Sequence, residues 1–370
     1  MPCPIVFFPG VMGSRLYFPN ANLYWDPDST WQMLWWMPVW PKRRDRDNRR
    51  DLHFLQPAGV LIDPADDGVS AEETALGWGG VVWSYYGTYL RALRGLAADG
   101  QAHAVGYDWR QDLRWLGEYA AAKLWKCLDD TGADRLWVAT HSMGGLVARA
   151  ALRFDRDLAE RVEKVVHVCQ PSVGAVVLYR RLFTGLMREF DEGLAFRILL
   201  GNSRAGFVGN MSGQPGPLQL LPSRFFAGQP AWHGHLDAGT AFDDLYAGAA
   251  SPPGLLDATL GLADDIAADL RARVDDVNGF HAWLGDPKPA AGGPETWLVY
   301  GTGVKTEVAI GFDGGSARPG LSLHGDGTVP VASACALGLP EDRMLAVADM
   351  VHADACNHRS VLDHTARIFA

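Results

Sequence analysis

The stretch Leu136-Trp137-Val138-Ala139-Thr140-His141-Ser142-Met143-Gly144-Gly145-Leu146-Val147-Ala148-Arg149-Ala150 decides the fold. A bulky, partly branched apolar run from Leu136 to Ala139 stops at His141-Ser142-Met143-Gly144-Gly145, and an Ala-rich helical pattern follows. The period of the apolar residues changes from that of a strand to that of a helix across a single turn. A serine sits at its apex. A serine hydroxyl is a weak nucleophile unless such a turn exposes it beside a base. Gly144 and Gly145 let the helix start close to the strand, and its N-terminus favours negative charge next to Ser142. The common form of this turn is G-x-S-x-G; here Thr140 stands where the first glycine is usual. A small side chain fits there at some cost in strain, and Thr is β-branched.

A nucleophilic serine also needs a base, a carboxylate that orients the base, and donors for an oxyanion. On a strand-turn-helix scaffold of this kind the chain order is Ser, then Asp or Glu, then His. Downstream, His324-Gly325-Asp326-Gly327-Thr328-Val329-Pro330 offers Asp326 between two glycines, after expected strands at Thr296–Tyr300 and Val308–Phe312. Flanking glycines suit a loop that presents a carboxylate at a strand end, although turn chemistry alone also produces Gly-Asp-Gly. Asp313 and Asp349 are the alternatives. Of eleven histidines, the late ones fit the order. Met344–Val351 reads as a last strand, His352 follows it in a loop, and Asn357–Phe369 reads as a helix. His352 is therefore the expected base, with His358 the alternative. His358 and His364 are expected on the helix surface, and His324 and His141 in local packing or hydrogen bonding. Oxyanion donors should be two backbone N–H groups. Met143, next after the serine, gives one. Pro4–Phe8 is a buried strand by its apolar run, and the small-residue loop Pro9-Gly10-Val11-Met12-Gly13-Ser14 after it gives the other, from Val11.

These pieces resemble the lecithin:cholesterol acyltransferase family and, more broadly, lipases of the α/β-hydrolase fold. The strings that carry the resemblance are Phe8-Pro9-Gly10-Val11-Met12-Gly13-Ser14, Tyr107-Asp108-Trp109-Arg110, His141-Ser142-Met143-Gly144-Gly145, Leu220-Leu221-Pro222 and Gly325-Asp326-Gly327-Thr328-Val329-Pro330. They run from the start of the chain to near its end. The resemblance implies Ser142, Asp326 and His352 as a catalytic triad, with Val11 and Met143 as oxyanion donors. It implies cleavage of acyl esters of lipid-like substrates through an acyl-enzyme, with neither metal nor organic cofactor. An acyltransferase passing the acyl group to an alcohol is the nearest rival, and a catalytically silent lipid-binding fold a more distant one. The paired cysteines that pin the lid in secreted animal members are absent. Asp108 and Arg110 suit a buried ion pair that serves architecture.

The 370 residues suffice for one large α/β domain with insertions. A formal net charge of −10 argues against a general nucleic-acid binder. Five widely spaced cysteines, odd in number, suggest reduced thiols rather than a disulfide framework or a metal site. No charged leader precedes the first strand and no apolar run reaches a membrane span, so a cytoplasmic location is the expectation.

Strands alternate with helices, at Trp83–Ala98 and Gln111–Leu128 among others, and Lys164–Cys169 is a further strand. The pattern implies a mostly parallel sheet covered on both faces. Two stretches break the rhythm. Residues 20–78 read as a lid-like insertion, and residues 172–294 as a mainly helical cap, with helices expected at Ala175–Leu200 and Asp257–Val274. In the first insertion Trp25, Trp31, Trp35, Trp36 and Trp40 lie close together, and a basic run, residues 42–50, follows. Trp favours membrane interfaces, and Arg attracts anionic headgroups. Trp31, Trp35 and Trp36 are thus expected to touch lipid or line an acyl tunnel; the alternative is a flap whose aromatics pack on the body. Co-sedimentation with lipid vesicles separates the two: replacing Trp35 and Trp36 by Ala reduces partitioning in the first case and leaves it unchanged in the second.

Overall fold

Six short runs, most of them apolar, pair into one parallel sheet. They are β1 (Ile5–Phe8), β2 (Ala102–Ala104), β3 (Leu136–His141), β4 (Val162–Val168), β5 (Glu295–Thr302) and β6 (Met344–Ala348). Their spatial order is β6-β5-β4-β3-β1-β2, and every neighbouring pair runs parallel. The computed structural model describes residues 3–20, 22–34, 58–60, 68–186, 203–226, 264–290, 292–313 and 316–370.

Both faces of the sheet are covered, which is why β1 is apolar at every position rather than at alternate ones. Val6 and Phe8 pack with α2 (Leu113–Thr131) and α3 (Met143–Phe154), whereas Ile5 and Phe7 pack with α1 (Trp83–Leu96) and α7 (Arg359–Phe369). Two of the long helices have a carboxylate at their start. The Asp112 side chain accepts from the N–H of Arg114 at the head of α2. At the head of α1 the Asp28 carboxylate accepts from the N–H groups of Trp83 and Ser84, so the first insertion is tied to the body.

The strand expected at Val308–Phe312 exists but lies outside the central sheet. Thr306–Asp313 pairs with Ser316–Ser322 in a two-stranded antiparallel hairpin. The buried ion pair Arg180–Glu307, at 2.7 Å, fixes that hairpin to α4 (Val176–Thr184). In the other insertion, Leu16–Phe18 pairs antiparallel with both Leu23–Trp25 and Gly59–Val60. Trp25 is buried edge-on against Trp109 at 5.4 Å, as a packed flap requires. Trp31 is exposed on the short helix Thr30–Leu34. Trp35, Trp36, Trp40 and the basic run lie outside the described residues. Within the cap stretch the longer described helices are α4, α5 (Arg204–Met211) and α6 (Asp264–Leu284), the last running on past Val274; residues 187–200 and 257–263 of the expected helices lie outside the described residues. None of the five cysteines is in a disulfide. Among the described residues no helix is long and apolar enough to cross a membrane.

Asp108 and Arg110 form the buried pair expected of them. Arg110 Nε and Nη2 reach Asp108 Oδ1 and Oδ2 at 2.7 and 2.6 Å, and the guanidinium lies over the Phe18 ring at 4.7 Å. Removing Asp108 takes away the carboxylate that both Nε and Nη2 of the buried guanidinium meet. Asp108→Ala should therefore lower unfolding stability by about 3–5 kcal/mol, read as a fall in the urea midpoint. A midpoint within error of the parent's contradicts the assignment.

Candidate active site

The sheet register delivers the site. Phe8 pairs with Thr140, and His141 with Val168, so the loop after β1 and the turn after β3 emerge side by side at the carboxyl edge. Ligands of open parallel sheets gather at that edge. Ser142 follows β3 directly with φ 52° and ψ −125°, a conformation rarely adopted by a residue with a side chain. Its N–H donates to the Val168 carbonyl at 2.9 Å, and its carbonyl accepts from Gly145 N–H at 3.0 Å. Two glycines allow close approach, Gly144 of necessity. A Cβ at Gly144 would lie 2.3 Å from the Phe8 carbonyl oxygen, and one at Gly10 would lie 3.0 Å from Ser142 Cβ. Thr140 is accommodated because its side chain turns toward β4, where its hydroxyl meets His167 Nδ1 at 2.8 Å.

Asp326, expected in a Gly-Asp-Gly loop, is 1% exposed. Its Oδ1 accepts from the N–H groups of Thr328 and Val329 at 2.9 and 2.7 Å, and its Oδ2 meets His352 Nδ1 at 2.8 Å. Burial alone raises the carboxyl's pKa. The His352 ring and the two N–H donors outweigh that effect and hold it below the usual carboxylate value. His352 stands at the first position of a 3-10 turn (His352–Asn357) rather than in an open loop, and its N–H donates to the Asp326 carbonyl at 2.9 Å. Its Nε2 meets Ser142 Oγ at 2.9 Å. The three expected side chains thus meet in the order carboxylate, imidazole, hydroxyl. Among the described residues neither Val11 N–H nor Met143 N–H has a hydrogen-bond acceptor.

The alternatives fall elsewhere. Asp349 occupies the turn after β6 at φ 56°, and the Asp313 side chain lies outside the described ones. His358 is not on the helix surface but caps α7, its Nδ1 accepting from Ser360 N–H at 3.2 Å. His364 is half-buried against Trp297, and His324 is exposed.

Sequence reading gave no role to Tyr86. The Gly10 N–H donates to the Tyr86 hydroxyl at 3.0 Å, which meets His141 Nδ1 at 3.0 Å. His141 Nε2 lies 3.0 Å from the His352 carbonyl oxygen. That carbonyl can only accept, so Nε2 carries the proton and Nδ1 accepts from Tyr86. Burial first, and the neighbouring His352 second, lower the His141 pKa from 6.5 to about 3, so the ring is neutral. Cys169 lies beside Asp326, and ligand atoms of Cys169, Asp326 and His352 fall within 4.8 Å of one another. Burial pushes the thiol well above its ordinary value, and Asp326 and His352 are already bonded to each other.

A cavity of about 260 Å³ opens over Ser142. Val177, Leu178, Phe207, Met211 and Leu220 line it from the cap stretch, with Val11, Met12 and Arg181 also on the lining.

A parallel sheet of this order, helices on both faces, and a serine at the strand-turn-helix apex define the α/β-hydrolase fold. Residues 79–210 match the model of the lecithin:cholesterol acyltransferase family, a span that includes Tyr107-Asp108-Trp109-Arg110 and the turn at Ser142. No curated protein matches this chain significantly in sequence. Among solved structures the chain is similar to that of the Tle4–Tli4 complex, with a TM-score of 0.76 and 19% identity over 100% of this chain and 98% of that one. The mature lipase BlEst2 of Bacillus licheniformis aligns at a TM-score of 0.41 and 12% identity, covering 100% and 92%.

The buried histidines make stability pH-dependent in a stated direction. Burial lowers His141 and His167 from 6.5 to about 3, and His281 to about 4. Below pH 6.5 the unfolded chain takes up protons that the folded one refuses, so stability present above that pH is lost as pH falls toward 4. The loss is about 1.4 kcal/mol per pH unit for each ring. Urea midpoints measured from pH 7 to pH 5 should fall steeply; a flat profile contradicts the assigned neutral rings.

Proposed function

We propose that this chain is a serine hydrolase that cleaves acyl esters of lipid-like substrates through an acyl-enzyme on Ser142. The observation that carries the reading is the contact series Asp326 Oδ2 to His352 Nδ1 at 2.8 Å and His352 Nε2 to Ser142 Oγ at 2.9 Å, at the floor of an apolar cavity. His352 Nε2 takes the hydroxyl proton as Oγ attacks the ester carbonyl. The carbonyl oxygen gains negative charge and is met by the N–H groups of Val11 and Met143, at the start of α3, where the helix dipole adds to the attraction. Asp326 accepts from Nδ1–H and stabilises the imidazolium. The C–O bond to the leaving alcohol breaks as Nε2 returns the proton to the departing oxygen. Water, deprotonated by the same nitrogen, then releases the acid and restores Ser142. Each oxyanion donor is worth on the order of 3 kcal/mol of barrier.

The apolar walls match acyl chains, which gain about 0.8 kcal/mol per buried methylene. A second reading follows from the acyltransferase family matched by residues 79–210: an acceptor alcohol replaces water in the last step, with the same intermediate.

A panel of chromogenic esters of increasing acyl length tests the proposal. The specificity constant kcat/KM should rise with chain length until the cavity is filled. Ser142→Ala should lower kcat by about a million-fold. A Ser142→Ala variant that keeps parent activity rules out the acyl-enzyme. Product analysis with added long-chain alcohol separates the two acceptors, ester marking transfer and free acid alone marking hydrolysis.

A further inference from the structure

A second, larger hollow lies behind the nucleophile helix, away from the catalytic cavity. It measures about 750 Å³ between α3, the helix Arg156–Arg161 that follows it, β4, and residues 285–290 and 292–294 of the next loop. Its lining carries Arg149, Arg153, Arg156 and Lys288 against the acids Glu160 and Asp286. That excess of positive charge runs against a chain whose formal net charge is −10.

Among the described residues, the fully buried arginines each have a carboxylate, and Arg149 is a half-buried one. Arg15 meets Asp26 at 2.8 Å, Arg110 meets Asp108 at 2.6 Å, and Arg180 meets Glu307 at 2.7 Å. Arg149 does not. Its Nη1 and Nη2 donate to the backbone carbonyls of Ser172 and Asp286 at 3.3 and 3.4 Å, both long for a charged donor. Among the described residues no carboxylate stands within ion-pair distance of Arg149, Arg153 or Arg156. Enclosure, partly offset by the Asp286 charge, lowers the Arg149 guanidinium from 12.5 to about 10. Arg153, one helical turn further along α3, donates from Nε to the Trp283 carbonyl at 3.1 Å, and its remaining donors have no acceptor among the described residues. Like charges four residues apart on one helix face repel each other. Packing or solubility alone gives no reason to set them around a concavity. An anion between them removes the repulsion and fills the unused donors.

We propose that this hollow is a binding site for a small, multiply charged anion bearing phosphate or carboxylate groups. Its volume lies in the range of small-molecule sites. Planar guanidinium groups grip both kinds of oxyanion in bidentate fashion, and several of them favour a ligand with more than one charged group. Arg153, Arg156 and Lys288 are exposed and receive the ligand from solvent, while Arg149 forms the deep contact. His167, neutral and bonded to Thr140, lines the inner wall.

Isothermal titration calorimetry of the full chain with pyrophosphate, and separately with citrate, at fixed ionic strength tests this assignment. A single saturable site is expected for at least one probe: pyrophosphate alone assigns phosphate groups, citrate alone carboxylates. Arg153→Ala combined with Arg156→Ala removes two exposed side chains and should weaken binding about tenfold or more. Lys126→Ala, on the exposed pair with Asp130 in α2, should leave it unchanged. Thermal unfolding of each variant verifies that the fold persists, and the Ser142→Ala variant should bind as the parent does, which separates this site from the hydrolase reading. No saturable heat with either probe, or equal affinity in the double variant, overturns the proposal.

Discussion

The backbone of Ser142 is the constraint on which the rest of the site depends. A residue with a side chain held at φ 52° and ψ −125° stores about 1–3 kcal/mol of strain. The strain persists because its surroundings leave no other path. Val168 holds the N–H, Gly145 holds the carbonyl, and β1 with its loop presses in through Gly10 and Gly144. That pressure is possible only because β1 is wholly apolar and buried between β3 and β2. The result is a hydroxyl turned out of the sheet toward an imidazole carried by the far end of the chain.

The loops that meet Ser142 are locked to one another. Asp326 and His352 are joined twice, side chain to side chain and backbone to backbone. The His352 carbonyl accepts from His141, which accepts from Tyr86, which accepts from Gly10. One relay therefore spans the loop that offers Val11 and the turn that carries His352. It works only while His141 stays neutral, since a protonated ring has no acceptor for Tyr86. Burial ensures that neutrality. The relay sets geometry before any substrate arrives, which is where preorganised electrostatic stabilisation gets its strength.

Much of this was legible in the residues because it is written in local patterns. The turn at Ser142, the buried strand at Ile5–Phe8 and the Asp108–Arg110 pair each need only a few neighbours to specify them. Asp326 and His352 were legible as types in a required order. What escaped was long-range. Tyr86 sits in the first turn of an amphipathic helix and reads like any half-apolar aromatic until β1 is laid beside it. The strand Thr306–Asp313 has the right pattern, yet it pairs with Ser316–Ser322 instead of joining the sheet, because period-two alternation says nothing about which partner a strand takes. His358 looked like a helix-surface residue because capping shifts a boundary by two residues, from Asn357 to Arg359. The charge excess around Arg149 is likewise invisible in a chain that is acidic as a whole.

The most direct test of the central claim is the intact mass of the protein after incubation with a fluorophosphonate. An activated Ser142 beside His352 should gain one adduct, mapped to Ser142 and lost in both Ser142→Ala and His352→Ala. No adduct on the folded parent, or an adduct that persists in Ser142→Ala, contradicts the account.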